Sequence, residues 1–195
     1  MTHLILPNGH GDTAIRPADP ICMASQQVPN QTVGSPMLRA SAGSQILLRY
    51  QENGHVTLPD NTPGKDTPGQ VFIYGTSHSL PNDTLQSIHK VWNPTGTGGD
   101  KRGRLFGQCN FDDGTCYQPN GGRISQQRQR EYTPDPFKGQ NRWCRNQVQI
   151  PADITERLYT IYWVWDWPTS PGTPGALEGK SEVYTTCIDI EIIHL

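Results

Sequence analysis

The residues of this chain with chemistry to offer are six histidines, five cysteines and a run of tyrosines and tryptophans. His55 stands in Gln51-Glu-Asn-Gly-His-Val-Thr-Leu-Pro59, at a turn that follows a strand-like run. A neutral imidazole there can bind copper, which accepts nitrogen ligands in tetragonal geometry. The competing reading is a histidine satisfied by backbone contacts. His3, His10, His78, His89 and His194 lack a metal-ligand spacing such as HxxxH and read as ordinary loop or strand residues. The stretch from Tyr159 to Trp167 places Tyr159, Ile161, Trp163, Trp165 and Trp167 on one face of a strand. Rings in a row can stack on sugars, but a central sandwich strand buries such residues, each contributing ~2–3 kcal/mol. The first four read as core. Trp167, beside Pro168 at the strand end, is expected to be exposed and is the candidate polysaccharide contact.

Other constellations carry less. Asp112-Asp113-Gly114, between Cys109 and Cys116, lacks the further acidic positions of an EF-hand and reads as a tight Asp-Gly turn. Gly96-Thr-Gly-Gly-Asp-Lys-Arg-Gly103 fits neither the Walker pattern nor the dinucleotide fingerprint, and no βαβ context surrounds it. No GxSxG elbow is present. Paired carboxylates for glycoside hydrolysis are a three-dimensional arrangement, and nothing in the sequence nominates a pair.

The elements that must position these residues follow from composition and pattern. A chain of 195 residues is one domain with a sizeable core. Hydrophobic residues are only 33%, while Gly 20 and Pro 17 favour turns and short strands over long helices. Charged residues are 17%, too few for a disordered polyelectrolyte, so a loop-rich folded domain results. Strands are expected over Gln45–Tyr50, Gln70–Tyr74, Leu85–Trp92, Asn146–Ile150, Leu158–Trp167 and the closing run to Ile193. Residues 93–143 are the least regular, with a short helix conceivable over Arg123–Arg130. Some seven strands without alternating helices predict an all-β, antiparallel, immunoglobulin/fibronectin-like β-sandwich with long loops.

A net charge of −2 gives no electrostatic case for nucleic acid or an anionic membrane. No apolar run approaches the roughly 20 residues of a membrane span, and residues 1–7 do not form a signal peptide. The five cysteines form no CxxC pair or zinc spacing. Disulfides in an oxidising compartment are expected, with one thiol left over. The sequons Asn30-Gln-Thr and Asn82-Asp-Thr agree with a secreted glycoprotein.

Four segments, in order, resemble the cellulose-active fungal lytic polysaccharide monooxygenases. They are Pro20-Ile-Cys22, Leu38-Arg-Ala-Ser-Ala-Gly-Ser-Gln-Ile-Leu47, Asn53-Gly-His55 and Glu182-Val-Tyr184-Thr-Thr-Cys187. A closer resemblance covers nearly the whole chain. Arg49-Tyr-Gln-Glu-Asn-Gly-His-Val-Thr-Leu-Pro59, Tyr162-Trp-Val-Trp-Asp-Trp-Pro168 and Tyr184-Thr-Thr-Cys187 are similar to an uncharacterised family of secreted fungal, monooxygenase-like proteins. Its members begin, after signal cleavage, with a histidine upstream of the segment matching Met1.

The resemblance implies a copper cofactor with His55 as second ligand, Tyr184 as axial neighbour and Glu182 as the group behind them, in place of the family's glutamine. It implies a Cys22–Cys187 bridge anchoring the last strand. Cys116–Cys144 is the second expected pair, leaving Cys109 free, with Cys109–Cys116 as the competing pairing. The family's copper brace uses a terminal histidine through both its α-amine and its ring. Neither His3 nor His10 has a free α-amine, so the expectation is a chain truncated at Met1 that lacks an N-terminal strand and histidine. The expected function is a secreted, monomeric, copper-dependent polysaccharide monooxygenase that is active only when complete. The alternatives are a non-catalytic carbohydrate-binding or cell-wall protein and a copper-binding protein without polysaccharide oxidation.

Overall fold

The computed structural model describes residues 15–194, together with the backbone of His3 and Leu4; Met1 and His10 lie outside the described residues. Among the described residues, eight strands form two sheets. The larger has the order β1-β8-β7-β4-β5, from β1 (His3–Leu4), β8 (Val183–Ile193), β7 (Leu158–Asp166), β4 (Gln70–Thr76) and β5 (Gly103–Asn110). β2 (Leu38–Ser41) also pairs with β8. The smaller sheet pairs β3 (Gln45–Tyr50) with β6 (Cys144–Gln149). All pairings are antiparallel except β2 with β8, which makes the larger sheet mixed. The chain is an all-β sandwich with long connections.

β7 explains the layering. Seven of its nine residues are buried, so both of its faces are covered. Tyr159, Ile161, Trp163 and Trp165 face the small sheet, where they join Ile46 and Leu48 of β3 and Val148 of β6. Tyr162 and Val164 face the other way and form a second core with Ile21, Phe72, Leu85, Ile88 and Trp92. That second core corrects one expectation. Leu85–Trp92 is not a strand but a short helix, α1 (Leu85–Ile88), followed by a turn. Its buried residues 85, 88 and 92 recur with helical spacing, which lets one side of the segment cap the outer face of the sheet.

The stretch between 93 and 143 holds two elements. β5 supplies an edge strand, and Arg123–Glu131 forms the helix α2. Asp112-Asp113-Gly114 is a turn, with Gly114 at φ +79° and the Asp113 carboxylate accepting from the N–H groups of Thr115 and Cys116. Two disulfides tie the layers. Cys22 is bonded to Cys187 on β8, Cys116 is bonded to Cys144 on β6, and Cys109 is free.

Candidate functional site

His55 is carried by the loop that leaves β3. Asn53 at φ +51° and Gly54 at φ +82° occupy consecutive left-handed positions and turn the chain sharply, which suits an Asn-Gly pair. The backbone N–H of His55 closes the turn on the Glu52 carbonyl at 2.9 Å. Beneath it the Glu52 side chain is 1% exposed. Its Oε2 accepts from the N–H groups of Val56 (3.0 Å) and Thr57 (3.2 Å). Its Oε1 accepts from the Thr57 hydroxyl (2.8 Å) and from the N–H of Gln118 (2.9 Å). A single carboxylate thus folds the His55 loop and staples it to the loop that follows Cys116. Asn120 Nδ2 adds a bond to Thr57 Oγ1 at 2.8 Å.

The His55 ring rests edge-on against Trp167, with centroids 4.6 Å apart, and 5.3 Å from Trp165. Burial lowers its pKa from the ordinary value; Glu52 and Glu182 oppose that shift and Lys65 reinforces it. The ring is therefore neutral at neutral pH, the state in which an imidazole nitrogen can coordinate a metal.

The start of β8 comes to the same place. Tyr184 stacks on Trp165 at 4.7 Å, and its Oη donates to Glu182 Oε1 at 2.7 Å. Burial and the adjacent Glu182 push the phenol's pKa well up, so Tyr184 stays protonated. Glu182 Oε2 accepts from Lys65 Nζ at 3.0 Å. Lys65 also donates to the Trp167 carbonyl and lies 4.1 Å over the Trp167 ring. Its side chain is 7% exposed. Burial lowers the Lys65 pKa, while its hydrogen bond to Glu182 raises it. His55 and the segment Glu182–Tyr184, far apart in sequence, thus surround one pair of stacked indoles. His55 and Tyr184 both line a cavity of about 530 Å³, whose wall includes Tyr50, Trp143, Trp163 and Ile188.

Trp167 corrects the expectation that it is an exposed sugar platform. It is 3% exposed and its Nε1 donates to the Thr67 carbonyl at 2.8 Å. The chain beyond Pro168 folds back over this region, with Ser170 N–H bonded to the Gly64 carbonyl and Thr169 bridged to Lys180. Gly69 makes the packing possible, because a Cβ there would stand 2.7 Å from Trp165 Nε1 and 2.6 Å from the Asp166 carbonyl. Trp167 is the floor of the site, not its surface.

The residues that sequence reasoning did not single out for the site are Glu52 and Lys65. Both lie in turn-rich polar stretches whose local pattern carries no sign of their distant partners. Among the described residues, the one group of three potential metal-binding side chains within reach of each other is Asp112, Asp113 and Cys116. Cys116 is in a disulfide, Asp112 is held by Arg128 in a two-point pair at 2.8 Å, and Asp113 accepts backbone N–H groups. These atoms are committed to structure. No helix among the described residues is long and apolar enough to cross a membrane.

No curated protein matches the chain. The family model that does match spans residues 1–195, and by it the chain belongs to the family described as a domain of unknown function, DUF7492.

Proposed function

We propose that this chain forms the body of a secreted, copper-dependent polysaccharide monooxygenase, in which His55 and Tyr184 supply half of the copper site. The observation that carries the reading is the meeting of a neutral imidazole and a protonated phenol at one cavity, on a rigid aromatic floor. The donors fit copper in kind: His55 would offer one ring nitrogen and Tyr184 a neutral phenol oxygen. They do not complete it. The described residues contribute a single nitrogen, and the other two would come from a histidine with a free α-amine. His3 is not such a residue, because its backbone nitrogen lies within the chain. Copper, when bound, would supply the one-electron and oxygen chemistry needed to oxidise a glycosidic C–H bond, with a reductant from outside.

The residues of this chain have the remaining tasks. Glu52 fixes the angle at which His55 enters the site, and Trp165 and Trp167 hold its ring in one plane. Glu182 accepts the hydrogen bond of the Tyr184 hydroxyl, which orients the phenol and keeps it protonated. Two disulfides and the β-rich fold agree with an extracellular protein. The test is a copper(II) titration of the mature secreted protein followed by electron paramagnetic resonance. A tetragonal nitrogen-rich signal that disappears in His55→Ala, with oxidised sugars released from cellulose, chitin, xylan or starch, supports the reading. A signal indifferent to His55→Ala sinks it.

One observation favours the second reading, a carbohydrate-binding or cell-wall protein without metal. The Lys65 ammonium sits close enough to His55 to oppose any cation there. Polysaccharide pull-down that survives a chelator, with no copper signal, is the outcome that reading requires.

A further inference from the structure

Two carboxylates act electrostatically on His55, those of Glu52 and Glu182. An imidazole beside a free carboxylate is a site for hard or borderline cations such as Mn²⁺ and Zn²⁺, whereas nitrogen donors without carboxylate favour copper. Both carboxylates are withheld. Glu52 is saturated by four donors and buried. Glu182 has one oxygen on the Tyr184 hydroxyl and the other on Lys65.

The Lys65 contact is built for permanence. Its stem and ammonium are covered, its ring contact with Trp167 is face-on, and its second bond goes to the carbonyl of that same tryptophan. An ammonium tied to Trp167 from two sides cannot swing away, so the carboxylate it holds is kept off the cavity. Lys180, 4.0 Å from the same oxygen and more exposed, is a lesser partner.

We infer that Lys65 is the specificity-determining residue of the site: it withholds the Glu182 carboxylate from any bound metal and so leaves the centre to neutral donors. This rests on the reading of His55 as a metal ligand. With Lys65 removed, Glu182 still accepts from the Tyr184 hydroxyl, but its Oε2 becomes available to complete an imidazole–carboxylate pair with His55. Lys65 touches no metal or substrate itself; it acts through Glu182.

The experiment measures Mn²⁺, Zn²⁺ and Cu²⁺ binding to the mature secreted protein by isothermal titration, with the Cu²⁺ paramagnetic spectrum recorded alongside. Lys65→Met is expected to tighten Mn²⁺ and Zn²⁺ at least tenfold and to add an oxygen donor to the copper spectrum. Lys65→Arg, which keeps the charge, should reproduce the parent. Lys65→Met/Glu182→Gln should lose the gain, because the carboxylate is gone. If Lys65→Met does not fold, Lys65→Gln, which retains a donor for the Trp167 carbonyl, serves in its place. A folded Lys65→Met or Lys65→Gln with unchanged metal preference and spectrum overturns the inference. The His55→Ala control separates the two failures. If it leaves the parent's copper binding intact, the site assignment is wrong; if it abolishes binding while the Lys65 variants stay silent, only the role of Lys65 is wrong.

Discussion

Glu52 offers the sharpest test of how the site is held. Its carboxylate meets four uncharged donors, so the isosteric change Glu52→Gln removes acceptor capacity while keeping volume. The amide nitrogen must replace one of the two oxygens. At the Oε2 position it would face the N–H groups of both Val56 and Thr57. At the Oε1 position it would face only the N–H of Gln118, since the Thr57 hydroxyl can rotate to accept. The second arrangement is the better one, and it still leaves one buried N–H without a partner, at about 1–3 kcal/mol. The two bonds that survive lose their charge assistance, roughly 0.5–1 kcal/mol each. Relief of the buried charge offsets part of this. The net loss is about 2–4 kcal/mol, and at roughly 2–4 °C per kcal/mol for a chain of this size Tm falls by about 4–16 °C. The assay is thermal unfolding followed by near-ultraviolet circular dichroism, with the His55 ring protons followed by NMR at 25 °C. The ring resonances should move even where the protein is fully folded. A Tm within about 1 °C of the parent, with His55 unmoved, would refute the claim that this carboxylate organises the loop.

Three further outcomes follow from the same structure. Replacing both Cys22 and Cys187 with alanine opens a closure of 165 residues and should cost about 2–5 kcal/mol, read as a lower denaturant midpoint. The free thiol of Cys109 is pushed up to about 11 by burial, so its alkylation by iodoacetamide at pH 8 should be about 100-fold slower than that of an unperturbed thiol; a rate near the unperturbed one contradicts the burial of its sulfur. For Asp135, burial raises the pKa, but the Trp143 N–H, Arg49 and Arg145 outweigh it and hold the carboxyl below the ordinary value. A lowered folded pKa gives stability that is present above the unfolded value of about 3.9 and is lost as pH falls through the folded one. Asp135→Asn should therefore lower stability at pH 7 by about 1–3 kcal/mol and flatten its decline between about pH 4 and 2, as read by urea unfolding across that window.

What the sequence made legible is what is encoded locally. β7 announces itself through seven tyrosine, tryptophan and β-branched residues among its nine, and its burial on both sides follows from that composition. β5 did not, because Gly-Arg-Leu-Phe-Gly-Gln-Cys-Asn offers no clean alternation. Its Gly107 is small because Ile73 and Val148 press to 3.2 Å from where a Cβ would stand, a constraint set by other strands. The helix α1 was misread although its 85, 88, 92 spacing was visible; a short apolar run cannot be assigned by period alone. The parallel β2–β8 pair joins residues about 150 apart, and no local pattern names such a partner. Trp167 was misjudged for a related reason. Its exposure is decided by Lys65 and by the backbone of residues 168–180 folding over it, not by its own place at a strand end.

The site divides along the same line. His55, Tyr184 and Glu182 are candidates by resemblance, because each sits in a short motif, and the fold brings them together. What gives those motifs a common location was not legible, since it is made of single residues acting across the fold. Glu52 fastens the His55 loop to Gln118, and the Cys116–Cys144 disulfide fastens that neighbourhood to β6. On the other side, Cys22 fastens β8 three residues beyond Tyr184. These two tethers share no residue. They meet at the stacked pair Trp165 and Trp167, with His55 against one side and Tyr184 and Lys65 on the others. A ligand bridging His55 and Tyr184 therefore joins two independently fixed parts, and the indoles between them set the gap. Their burial is the reason that gap is constant: a tryptophan exposed to hold sugar would be free to tilt, and the spacing of the site would tilt with it.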